Sequence, residues 1–132
     1  MKTNNLLSVQ KKLVYLVACL SMLAGLIHVW VIPEHFEEWI GYGIFFVLIA
    51  LFQFLFVYLI LRYSFRYRSI LWLGIFVNAG IIILWLYTRM FGVPFGSMAG
   101  EVEAIGMLDT MSKFFEIVLI GCLISLLREK KH

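Results

Sequence analysis

Four long apolar stretches, about 13–32, 33–61, 69–88 and 107–127, alternate with short polar segments along the chain. Each is long enough to span a bilayer, since about 20 helical residues at ~1.5 Å each cross a ~30 Å hydrocarbon layer. No segment alternates with period two, so helices are predicted rather than the strands of a membrane barrel. The expected fold is all-α, one integral-membrane domain over residues 1–132: an up-down four-helix transmembrane bundle.

The polar breaks are unequal. Pro33 and the acids after it suit the first turn of a helix, where proline is tolerated and negative charge complements the helix dipole. Helix two is therefore predicted to start at Pro33, with Glu34, His35 and Glu38 on one flank of that turn and Glu37 facing water. Residues 62–69 form a second short turn. The third break, 89–106, is glycine-rich and holds Pro94, which predicts turns and left-handed backbone that fold back over the mouth of the bundle.

Charge adds an orientation. Lys2, Lys11, Lys12, Arg62, Arg66, Arg68, Arg128, Lys130 and Lys131 flank the spans on one side, while Glu34, Glu37, Glu38, Glu101, Glu103 and Asp109 lie toward the other. Basic residues mark the cytoplasmic side, so both termini are expected there, in a multi-pass protein of the bacterial cytoplasmic membrane. Trp30, Trp39 and Tyr42 fit an outer aromatic belt, and Tyr63, Tyr67 and Trp72 an inner one. A cleaved leader ending near Cys19 fits less well than an uncleaved first helix, because the chain stays apolar beyond it.

Composition excludes a water-soluble domain: 63% of the 132 residues are hydrophobic and 14% charged,. The net charge of +3 suits anionic lipid head groups and calls for no nucleic acid. Cys19 and Cys122 form no Cys-x-x-Cys pair and read as packing residues. The bilayer is the expected partner, with other membrane subunits or self-association as further options.

Polar groups inside the spans are the informative residues, because such groups usually face the bundle interior. They are His28, Gln53, Asn78, Lys113 and Glu116, with Asp109, Lys113 and Glu116 on one stripe of helix four. One reading is structural: Lys113 pairs with Glu116 or Asp109 to neutralise charge and fix packing, and Gln53 and Asn78 hydrogen-bond across the bundle. The other assembles His28, Glu34, His35, Glu38, Arg89, Glu103, Asp109, Lys113 and Glu116 into an outward-facing polar pocket.

Imidazole and carboxylate together form a ligand set for a divalent metal, with His28, His35, Glu38 and Glu116 as the candidates. The spacing matches no dedicated metal motif, and His28 and His35 lie on neighbouring segments at different heights, with no histidine deeper in helices two to four to complete a bis-histidine haem. A proton relay lacks a visible inner half. No nucleophile elbow or phosphate loop is present, so an enzyme is not the expected reading, although His28 or His35 with Glu116 has the chemistry of an acid–base pair.

Two blocks carry a resemblance. His28, Pro33-Glu34-His35-x-x-Glu38-Trp39, Phe45-Phe46 and Gln53 form the first. Trp85-x-x-Thr88-Arg89-x-x-Gly92-x-Pro94-x-Gly96, Glu103-x-x-Gly106-x-x-Asp109 and Glu116 form the second. Together they resemble small four-helix membrane proteins of bacteria. The resemblance implies fold and membrane location without implying a reaction or cofactor. Lys113 departs from it, since similar chains have an uncharged residue there, and a cation between Asp109 and Glu116 competes with a metal. Two functions follow: a membrane protein whose outer pocket binds a cation, a metal or a small polar ligand, and a non-catalytic accessory subunit whose polar cluster only stabilises the bundle.

Overall fold

The computed structural model describes residues 2–94, 96, 100 and 106–130. Among them are four helices, α1 (Lys2–Glu38), α2 (Ile40–Tyr63), α3 (Arg68–Met90) and α4 (Met107–Lys130). All four are long and apolar enough to cross a membrane.

The boundary between the first two helices is not at Pro33. That proline lies inside α1, which continues to Glu38, and the break falls on Trp39, whose backbone is extended at φ −172° and ψ 141°. Proline in a helix forfeits one amide donor, yet one missing bond is a small loss on a 37-residue helix. The single-residue link works because Gly41 and Gly43 leave room for the rings of Trp39 and Phe36 over the first turn of α2. Two consequences follow. Glu34, Glu37 and Glu38 belong to the C-terminal end of α1, one residue before α2 begins, rather than to the first turn of α2. His28 lies ten residues, ~15 Å, from the end of its helix instead of the ~6 Å that an end at Ile32 implies.

Ser21 and His28 meet Gln53 while His35 stacks on Phe46, so α1 and α2 run antiparallel. α1 also packs on α4, and α4 on α3, whereas α2 and α3 barely touch. Where α2 and α3 do approach, at Gly74, the missing side chain leaves space for Phe56 and Leu123. The apolar core fills the half of the bundle near the 64–67 turn, with Val14, Val17, Phe56, Ile60, Leu71, Leu119 and Leu123 at its centre. The opposite half holds the buried polar residues and a cavity.

Outward faces are dressed with large apolar side chains, such as Trp30 at 77%, Phe76 at 69% and Ile83 at 65% exposure. Two assignments of the sequence change here. Tyr42 is 7% exposed and lines the cavity instead of an aromatic belt. Cys19 is exposed, so of the two free thiols only Cys122 packs inside the bundle.

Candidate functional site

Polar groups of the half opposite the 64–67 turn form two layers. The deeper is a continuous chain of hydrogen bonds across three helices. His28 of α1 meets the Gln53 side-chain oxygen through Nδ1 at 2.7 Å. Gln53 Nε2 donates to Glu116 Oε2 of α4 at 3.4 Å, and Lys113 Nζ donates to Glu116 Oε1 at 2.7 Å and to Ser112 Oγ at 3.2 Å. Ser21 Oγ anchors the same turn of α2 by donating to the Gln53 carbonyl at 2.8 Å.

The direction of that chain is fixed by its ends. Glu116 as a carboxylate only accepts, so the Gln53 amide must turn its NH₂ toward it and its oxygen toward His28. His28 then donates through Nδ1–H, which leaves Nε2 as the ring's acceptor. Glu116 is fully buried and Lys113 nearly so. Two charges at this depth are tolerable because each cancels the other and their remaining bonding capacity goes to Ser112 and Gln53.

Asp109 does not join this layer. Arg89 of α3 reaches across to it, Nη2 to Oδ2 at 2.6 Å, which ties the C-terminal end of α3 to the N-terminal end of α4. Arg89 Nη1 donates to Thr88 Oγ1 at 2.8 Å, Thr88 Oγ1 donates to the Trp85 carbonyl at 2.8 Å, and the guanidinium lies 5.1 Å over the Trp85 ring. The stripe Asp109, Lys113, Glu116 therefore splits, one acid pairing toward α3 and the other within α4. Arg89 Nε and Trp85 Nε1 are buried donors with no hydrogen-bond partner among the described residues.

Above and beside these pairs lies a cavity of about 430 Å³. α1 contributes His28, Val31, Glu34, His35 and Glu38 to its wall. α2 contributes Tyr42, Phe45, Phe46 and Ile49, and α3 Ile81, Leu84, Trp85, Thr88 and Arg89. Asp109 and Lys113 of α4 and Val93, Pro94 and Gly106 of the loop close it. Spacings of three and four put each set on one face of its helix. From Ile40 to Ile49 and from Ile81 to Met90 the walls run nine residues, so the cavity reaches roughly 14 Å into the bundle. It occupies the space left where α2 and α3 part.

Seven of the nine pocket residues named from sequence thus line one cavity. Glu116 lies beneath it, sealed under Lys113, and Glu103 falls outside the described residues. Glu37 is exposed and takes no part in the wall. The loop is seen only in part: Gly92, Gly96 and Gly100 take positive φ, and the Gly100 amide donates to the Val93 carbonyl at 2.8 Å. Asn78 departs from the cross-bundle expectation, since its Nδ2 donates to Gly74 of its own helix at 2.8 Å.

The four metal-ligand candidates are not brought to a point. His28 and His35 are seven residues apart on one helix, a rise of ~10.5 Å, while ligands ~2 Å from one ion lie within about 4 Å of each other. His35 Nδ1 is 2.8 Å from the Val31 carbonyl, to which it donates, and Glu116 is held by Lys113 and Gln53. Among the described residues no three His, Cys, Asp or Glu side chains form a group that could hold a metal.

Thr88, Trp85, Tyr42 and Phe46 were not singled out as wall residues by the sequence. The threonine and the aromatics have no local signal for it, because only the gap between α2 and α3 makes their faces a lining. The chain matches no protein-family model, no curated protein and no solved structure. The resemblance of the two sequence blocks therefore stands on the quoted residues alone.

Proposed function

We propose that this is a multi-pass protein of the bacterial cytoplasmic membrane, with both termini cytoplasmic, whose outer cavity binds a cation or a small polar ligand. The observation that carries the reading is the cavity itself: a void of about 430 Å³ in which α1 and α4 set carboxylates and imidazoles against otherwise apolar walls. That volume is typical of small-molecule sites. The placement of two acids supports it further: Glu34 and Glu38 lie in the last five residues of α1 and both line the void.

Membrane location is supported by the four apolar helices and their exposed aromatic and aliphatic faces, which lipid would cover. Orientation is supported by Lys11, Lys12, Arg62, Arg66, Arg68 and Arg128 near one end of the bundle, with Glu34, Glu38 and Asp109 at the other.

The structural reading retains one observation in its favour: His28, Gln53, Lys113 and Glu116 are already bonded to one another. We assign that deep layer to holding α1, α2 and α4 together and the shallower layer, Glu34, His35 and Glu38 beside the Arg89–Asp109 pair, to binding. The test uses protein in lipid nanodiscs, with thermal unfolding followed against zinc, manganese and a panel of small amines, alcohols and acids. A bound ligand at 100 times its Kd should stabilise by ~2.7 kcal/mol, and Leu84→Trp, which fills the cavity, should remove the shift. If no member of the panel raises stability, the binding function is wrong and the accessory role remains.

A further inference from the structure

The chemistry of the wall narrows the ligand, on the premise that the outer cavity is a binding site. We propose that it takes a small organic cation: an ammonium group carried on an apolar, flat body.

Charge selects the sign. Arg89 and Lys113 are the cations of the described wall, and each is already held by a carboxylate, at 2.6 Å by Asp109 and at 2.7 Å by Glu116. Glu34, Glu38 and Asp109 outnumber Arg89 and Lys113 on the described wall, so its formal charge is negative. An entering anion meets a net negative wall, whereas an entering ammonium meets the opposite field.

The remaining wall selects the body. Tyr42, Phe45, Phe46 and Trp85 line the space with rings, and the face of an aromatic ring attracts a cation. The Arg89 guanidinium over Trp85 is one such contact already made within this wall. Below the rings, Ile49, Ile81 and Leu84 are apolar. A hydrated inorganic ion would hold water against these side chains, while a hydrocarbon or aromatic body replaces that water, so the same cavity that suits an organic ammonium suits a bare metal ion poorly.

Three probes of similar shape separate the possibilities: phenethylammonium, 2-phenylethanol and 3-phenylpropionate. They are titrated against the protein in phosphatidylcholine nanodiscs, with empty nanodiscs as the partition control, by tryptophan fluorescence and thermal unfolding. Phenethylammonium is expected to bind saturably, about ten times tighter than the alcohol, with the acid weakest. In Glu34→Gln/Glu38→Gln the preference of cation over alcohol should fall to about two-fold while the alcohol binds as before. Leu84→Trp should abolish all three.

If the alcohol or the acid binds as tightly as the ammonium, or the preference survives in the double variant, the assignment of a cation is overturned and the site remains a pocket of other specificity. If none of the three binds saturably to protein that unfolds cooperatively, the assignment of an organic cation is overturned, and the binding function falls with it only if the metal and small-molecule panel also leaves stability unchanged.

Discussion

Lys113 is the residue on which the interior turns, because an ammonium at this depth is tolerable only with its counter-charge in place. Removing one member of a buried pair leaves the other uncompensated, a loss of ~3–5 kcal/mol, while replacing both by apolar groups is often neutral. Lys113→Met and Glu116→Leu alone should therefore each lower stability by about that amount, and the double variant should return to within ~1 kcal/mol of the wild type. Thermal unfolding in detergent checks this, and strictly additive losses would show that the pair is not a unit. The two acids of the cavity wall behave differently. Glu34→Gln/Glu38→Gln should hold stability to within ~1 kcal/mol, since the C-terminal end of α1 and the N-terminal end of α2 meet there with dipole effects of opposite sign, each worth ~0.3–1 kcal/mol. Loss of stability instead would give these glutamates a structural role.

At the scale of the element, α1 decides the site by where it stops. Pro33 followed by acids has every local mark of a helix start, and these marks are outweighed by the seating of Phe36 and Trp39 over Gly43 and Gly41. Those contacts join residues across a turn and leave no local pattern. Pro33→Ala restores an amide donor within α1 and should raise thermal stability, by no more than ~3 kcal/mol. It also re-aims the turn that carries Glu34, His35 and Glu38, so affinity for an ammonium probe should fall. Unchanged affinity in nanodisc titrations would mean that the proline does not set that geometry. In the loop, Gly96 has φ 91°, and a side chain there would lie 2.7 Å from the Trp39 ring and 2.8 Å from the Tyr42 ring. Gly96→Ala should cost ~1–2 kcal/mol and speed proteolytic cleavage of the loop.

Over the whole molecule, tight and open halves divide the work. The basic half carries the apolar core, and the acidic half carries the polar chain and the cavity, because α2 and α3 meet near Gly74 and part beyond it. The proposed orientation has a direct check in a Cys19→Ser/Cys122→Ser background. A membrane-impermeant thiol reagent should modify Glu37→Cys in intact cells and Arg66→Cys only after permeabilisation. The opposite pattern would invert the molecule and place the cavity on the cytoplasmic side.

The sequence by itself determined the four apolar helices and the sorting of charge between their ends, since each depends on composition within a window of about 20 residues; it misjudged the length of α1, which runs over 37 residues. It also determined which polar side chains had to face inward, because burying them against lipid is costly wherever the helices lie. Pairing was decided only by the tertiary structure. Asp109, four residues before Lys113, and Glu116, three after it, are both within its reach along α4, and Arg89 from α3 takes the first of them away. The cavity, too, was beyond the sequence: it exists because two helices diverge, a property of how side chains such as Phe56 and Leu123 fit around Gly74 and not of any one stretch of chain.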